Sequence, residues 1–182
     1  MAPPKRFHEK LIYDNASMNP ARSPQKSKPD RRATTKTSDY TTSFAVDQSP
    51  EEVFAAINNV RGWWSEEIEG QTDALGAEFN FHYKDFHRSK QKITEFAPGK
   101  RVVWHVLESQ INFVEDKSEW NGTDAVFEIA RKDDKTEVRF THVGLVPEFE
   151  CYSDCSGAWG YYINDSLRSL ITTGKGQPAP KE

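Results

Sequence analysis

The chain has 182 residues, 36% hydrophobic and 29% charged, with a formal net charge of −4, enough for one single-core domain and an appendage. The charge is unevenly spread: residues 1–37 carry nine Lys/Arg against three acids, and the remainder carries 15 basic against 25 acidic side chains. So acidic a body repels polyphosphates and argues against nucleic-acid binding by the folded part, while the longest run free of Asp, Glu, Lys and Arg, Cys155 to Asn164, is too short for the ~20 apolar residues of a membrane span.

Residues 1–37 hold five of the ten prolines and none of the five tryptophans. A segment rich in Pro, Lys, Arg, Ser and Thr cannot bury enough apolar surface to offset its ordering entropy, so it reads as a disordered basic tail. A helical turn around Phe7, Leu11 and Ile12 is the one element its spacing permits, and Met18 offers a second translation start. Lys5, Arg6 and Lys10 are followed by no apolar run, so a secretory leader is not expected. With two cysteines, Cys151 and Cys155, the expected setting is the reducing cytoplasm.

The folded domain is expected over residues 38–176, with a disordered C-terminus at 177–182. Its first strand is Tyr40 to Val46, by two-residue alternation. Ser49-Pro50-Glu51-Glu52 is a helix start: Ser49 caps, Pro50 suits the first helical position and Glu52 completes a capping box. That helix runs to about Asn59, with Val53, Phe54, Ile57 and Val60 on one side, and Arg61 to Ser65 suggests a bend and a second short helix. From residue 78 the period is two. Phe79, Phe81 and Tyr83 alternate with polar residues, Asp85-Phe86 reverses the chain into a strand of about Arg88 to Phe96, and Pro98-Gly99 turns again. Val102, Trp104 and Val106 then face one way and Val103, His105 and Leu107 the other. Ile111 and Phe113 are compatible with a short strand, Asn121-Gly122 with a turn. Ala125, Phe127 and Ile129, then Val138, Phe140 and His142, complete an antiparallel meander of about six strands.

After Pro147 the spacing becomes helical, through Cys151, Cys155, Trp159, Tyr162, Ile163, Leu167, Leu170 and Ile171, and Gly174 is a natural terminator. Roughly 24 residues make a rod of ~36 Å, longer than an eight-residue strand of ~27 Å, so one helix can cross the whole sheet. The expected class is α+β: a curved antiparallel sheet wrapped around a long terminal helix, with two short helices near the start.

Phe79, Phe81, Tyr83, Trp104, Phe127, Phe140, Trp159 and Tyr162 all fall on inward registers. Such a set suits an apolar pocket with a few polar tips, and it equally suits a filled core. Gly157 and Gly160 each cost ~1 kcal/mol inside a helix, which predicts a close approach to that backbone, by a ligand or equally by helix–sheet packing. His142 shares a strand face with Phe140, so it points inward, either to orient a ligand or move a proton or as a core histidine bonded to a neighbour. His82 and His105 alternate to the outer face. Cys151 and Cys155 share one helical face; a helix start lowers a thiol pKa while Glu150 and Asp154 oppose it, and packing thiols are expected. Nothing at metal-ligand spacing accompanies His142, and no phosphate-binding loop, dinucleotide fingerprint or Gly-x-Ser-x-Gly elbow is present, so no cofactor is expected.

The segments Ser49-Pro50-Glu51-Glu52-Val53-Phe54, Gly62-Trp63-Trp64, Gly99 to Trp104, Thr136 to His142 and the terminal helix, in that order, resemble the Bet v 1-like, START-related helix-grip (SRPBCC) superfamily. Within it they are most similar to the branch named for the C-terminal domain of the activator of Hsp90 ATPase. The resemblance covers about residues 38–176. It implies a cavity between sheet and helix with Trp63 and Trp64 at its mouth, and candidate lining by Trp63, Trp64, Phe79, Phe81, Tyr83, Trp104, Phe127, Phe140, His142, Cys155, Trp159 and Tyr162. The first functional expectation is binding of a small apolar or amphipathic molecule. The second is a co-chaperone-like module for an Hsp90-type ATPase, weakened because a basic tail stands where the eukaryotic co-chaperone has a separate N-terminal domain. The third is a cyclase or hydrolase using His142 with Tyr83 or a cavity water.

Overall fold

The computed structural model describes residues 38–181; the expected disordered tail and its helical turn lie outside the described residues. β1 (Tyr40–Val46) leads to α1 (Pro50–Asn58) and a single 3-10 turn at Val60–Gly62, where the sequence suggested a second short helix. β2 (Glu69–Gly70), β3 (Glu78–Tyr83), β4 (His87–Ala97), β5 (Arg101–Ile111), β6 (Asp124–Lys132) and β7 (Lys135–Val143) follow. All pairings are antiparallel, in the order β1-β7-β6-β5-β4-β3-β2. The seventh strand, β2, is two exposed residues long, too short to alternate, and so left no trace in the apolar pattern. Ile111 closes the long β5 rather than starting a strand of its own.

The expected capping box is present: Ser49 Oγ accepts from the Glu52 amide at 3.2 Å, and Glu52 Oε2 accepts from the Ser49 amide at 2.8 Å. α1 buries Val53 and Ile57, while Phe54 packs edge-on against Phe96 at its margin. Two register shifts between β4 and β5, at Lys90/Gln91 and Ile93/Glu95, bend the sheet, because an extra residue on one strand increases local twist. The concave face so formed receives the terminal helix. That helix begins as α2 (Tyr152–Tyr161), widens into a π-helical stretch at Tyr162–Leu167 and ends as α3 (Arg168–Thr173), with Gly174 left-handed at φ 78°. Cys151, Cys155, Trp159, Tyr162, Ile163, Leu167 and Ile171 are buried along it, and Leu170 is half-buried. No helix among the described residues is long and apolar enough to cross a membrane.

The close approach expected at the two glycines is found at one of them, and there as helix packing on the sheet. A Cβ at Gly157 would meet nothing within 4 Å, and one at Gly160 would lie 3.3 Å from the Tyr40 hydroxyl, so the close approach is packing of helix on β1 and not a ligand path.

The C-terminus also differs from expectation. Residues 177–181 are a docked strap, because Ala179 fits a fully buried site where the strap satisfies backbone groups that would otherwise be unpaired. The Ala179 amide donates to Trp64 O and the Glu66 amide to Ala179 O, both at 2.9 Å. Ser166 Oγ donates to Trp63 O at 2.7 Å and accepts from the Gln177 amide at 2.7 Å. The π-helical stretch thus presents a buried serine that ties strap, helix and the Trp63–Ser65 segment together. Replacing Ala179 with aspartate is expected to expel the strap. Hydrogen exchange at the Glu66 amide should accelerate at least tenfold with α1 amides unchanged; unchanged protection of Glu66 would show that the strap carries nothing.

Candidate functional site

The concave face is largely filled by stacked rings. Trp63, Trp104, Phe79, Phe127 and Phe140 are fully buried. Trp104 lies 6.0 Å from Trp63, 5.8 Å from Trp64, 4.7 Å from Phe127 and 5.1 Å from Phe79 between ring centroids. The Trp63 indole donates to Ile57 O at 3.1 Å, so Trp63 is part of the core and not of a mouth. These residues, expected as lining, form the floor beneath any cavity.

Beside this floor, between the β3–β4 hairpin end, the 112–123 connection and α2, is an apolar cavity of about 50 Å³. Six of the expected lining residues border it: Trp64, Phe81, Tyr83, Cys155, Trp159 and Tyr162. Trp63, Phe79, Trp104, Phe127, Phe140 and His142 do not. Five residues that the sequence reading did not place complete it: His87, Phe113, Trp120, Asp154 and Ala158. Trp64 is stacked on Phe81, 4.2 Å apart and 4° from parallel, and makes one wall. Trp120 and Trp159, 5.9 Å apart and 13° from parallel, make another. Two larger depressions, about 550 and about 750 Å³, are open surface grooves. The first mixes Glu66, Glu67, Glu69 and Glu108 with Arg88, Lys90 and Lys181 and has no uniform charge.

His142 is buried but holds the cavity wall from behind. Trp159 Nε1–H donates to His142 Nδ1 at 2.9 Å. Because that nitrogen accepts, the network assigns the proton to Nε2, which donates to Thr123 Oγ1 at 2.9 Å; the Thr123 hydroxyl donates on to Trp120 O at 2.6 Å. The chain of donors runs one way from Trp159 to Trp120, so His142 fixes both rings of that wall and has no nitrogen left for a substrate. Burial, and then the neighbouring His87, push its pKa down to about 3.

His87 is different. It is 9% exposed, burial lowers its pKa to about 3, and its ring stands edge-on to Trp120 at 4.5 Å and to Phe81 at 5.2 Å. Its Nε2 is buried without a hydrogen-bond partner, and so is Trp120 Nε1, whose polar neighbour is the weakly accepting Cys155 sulfur. Burial pushes the Cys155 thiol well up, reinforced by Cys151, so it is a packing thiol. Burial likewise raises Asp154 and, with Tyr83 and Tyr161 beside it, Tyr162. His82 and His105 are on the outer face, His105 Nδ1 paired with Asp124 at 2.8 Å.

The family model described as Activator of Hsp90 ATPase homolog 1-like protein matches residues 47–172. No curated protein sequence matches the chain. Among solved structures, the Aha1 dimer from Colwellia psychrerythraea is similar at a TM-score of 0.62 and 25% identity, over 76% of this chain and 99% of that one. DynU16, from the dynemicin biosynthetic locus, is similar at 0.55 and 14% identity, over 75% of this chain and 48% of that one. SSP2350 from Staphylococcus saprophyticus gives 0.54 and 16%, over 79% and 98%. The last two speak to the fold alone.

Proposed function

The chain belongs to the activator of Hsp90 ATPase homolog 1-like family, whose helix-grip fold often holds hydrophobic ligands, and we propose that this member binds a small apolar or amphipathic molecule in the cavity beside Trp64, Trp120 and Trp159. The observation that carries the reading is a cavity walled by stacked aromatic rings on which two buried polar atoms, on His87 and Trp120, lack partners. Native interiors leave few such groups unmatched. Size restricts the ligand: a void of roughly 150 Å³ holds benzene, three times the volume here, so even a one-ring guest requires a wall to yield. Phe113, half-buried on an irregular connection, is the wall whose truncation tests this.

Thermal denaturation with toluene, phenol, indole and medium-chain fatty acids tests this. One-ring compounds should raise the Tm of the wild-type chain and long acyl chains should not. Phe113→Ala, which enlarges the cavity, should give larger shifts and admit two-ring guests. Absence of any shift in both proteins would mean that the void is a packing defect.

A second reading, stimulation of an Hsp90-type ATPase, is favoured by the family match and by the similarity to the Aha1 structure along almost all of its length. A faster ATPase rate on adding this chain, unaffected by filling the cavity, would support that reading instead.

A further inference from the structure

Resting on the cavity reading above, we propose that the site selects an aromatic hydroxyl compound of the phenol class, with its hydroxyl bonded to the His87 imidazole. A neutral imidazole carries one donor and one acceptor nitrogen. Among the described residues, Nε2 of His87 is buried without a hydrogen-bond partner, although both nitrogens of the other buried histidine, His142, are engaged. An unmatched polar group in such surroundings destabilises the fold, a cost that a bound partner removes. The partner must satisfy two constraints at once. The walls, Trp64 on Phe81 and Trp120 beside Trp159, are parallel-ring surfaces suited to a planar apolar body. The polar corner presents the His87 ring edge-on to Trp120, with Nε2 of His87 unpartnered.

A hydroxyl fits this corner whichever tautomer His87 adopts. It donates to an unprotonated ring nitrogen, or accepts from a protonated one. A carboxylate fits poorly. His87 remains uncharged at neutral pH in this burial, and Asp154 on the cavity border repels an anion once ionised. A methyl group in place of the hydroxyl fills the same space and leaves Nε2 unmatched, so discrimination by a buried polar group is expected to be strong.

Calorimetric titration of the full chain with phenol and with toluene, which differ by hydroxyl against methyl, reads this directly. The wild-type chain should bind phenol at least tenfold more tightly. His87→Phe keeps an aromatic ring, removes both nitrogens and should abolish the preference while still taking toluene. Long-range ¹H–¹⁵N spectra of the wild-type chain provide the same answer without a variant: phenol should shift the His87 ring nitrogens and toluene should not. Equal affinities with unmoved His87 nitrogens would overturn the hydroxyl assignment and leave the cavity reading standing. Binding of neither compound, even to Phe113→Ala, would overturn both.

Discussion

Between pH 6.5 and 4 the chain is expected to lose several kcal/mol of stability, through its two buried histidines. His87 and His142 both have folded-state pKa values lowered to about 3, against about 6.5 in an unfolded chain. Below pH 6.5 the unfolded imidazoles take up protons that the folded ones refuse. The unfolded state therefore binds more protons, and stability falls as pH falls until about pH 3. The slope is about 1.4 kcal/mol per pH unit for each histidine, so two of them remove about 5 kcal/mol between pH 6 and 4, comparable to the total of a typical domain. Burial raises the pKa of Asp154, which works the other way but is one partly buried group against two buried rings. Urea midpoints from pH 7.5 to 4.5 should fall steadily below 6.5, and His87→Phe should halve the slope. A flat profile would mean that the two rings are hydrated or charged in the folded state.

Trp104→Ala should cost about 3–5 kcal/mol, the range for truncating a buried aromatic ring. Trp104 has no exposed surface and is enclosed by Trp63, Trp64, Phe79 and Phe127. Its indole nitrogen is buried without a partner, so removing the ring also removes an unmatched donor, and the lower half of the range is the better expectation. Equilibrium unfolding measures this. A loss below about 1 kcal/mol, far under what a buried indole requires, accompanied by loss of small-molecule binding, would place Trp104 in the site and not in the floor beneath it.

The fold was legible because its elements carry simple periods. The capping box at Ser49, the two-residue alternation from Phe79 to Tyr83 and the helical spacing from Cys151 to Ile171 each correspond to an observed element. The π-helical stretch was not legible, since one widened turn shifts the spacing by less than apolar positions report. Half of the candidate site was found, because alternation says which residues point inward and not which of them meet one another. The depth of the floor was decided by tertiary stacking of Trp63, Trp104 and Phe127, which no local pattern contains.

His87 was missed for a specific reason. On β4 the inward register is His87, Ser89, Gln91 and Ile93, a mostly polar face that apolar alternation cannot mark. Pairing of Tyr83 with His87 across the hairpin was the available signal: with the reversal begun one residue earlier, at Lys84 to Phe86, His87 falls on the inner face beside Tyr83. Trp120 was beyond reach, since the 112–123 connection has no period, and its position comes from hydrogen bonding to Thr123 and stacking on Trp159. The docked strap escaped for a related reason: Pro178 and Pro180 read as an unstructured end, whereas the ordering comes from the Ala179 backbone and its buried methyl.

Occupation of the small cavity beside Trp64, Trp120 and Trp159 by a guest is open to direct observation. Its most direct test is a ¹H–¹³C NMR titration of the wild-type chain with toluene and phenol, following the Ala158 methyl and the tryptophan ring signals. Saturable shifts are expected at Ala158, Trp64, Trp120 and Trp159, with contacts from guest protons to the Ala158 methyl and none to Trp104. Signals that stay unmoved until the chain unfolds, or that move only at exposed residues such as Leu75, would contradict it.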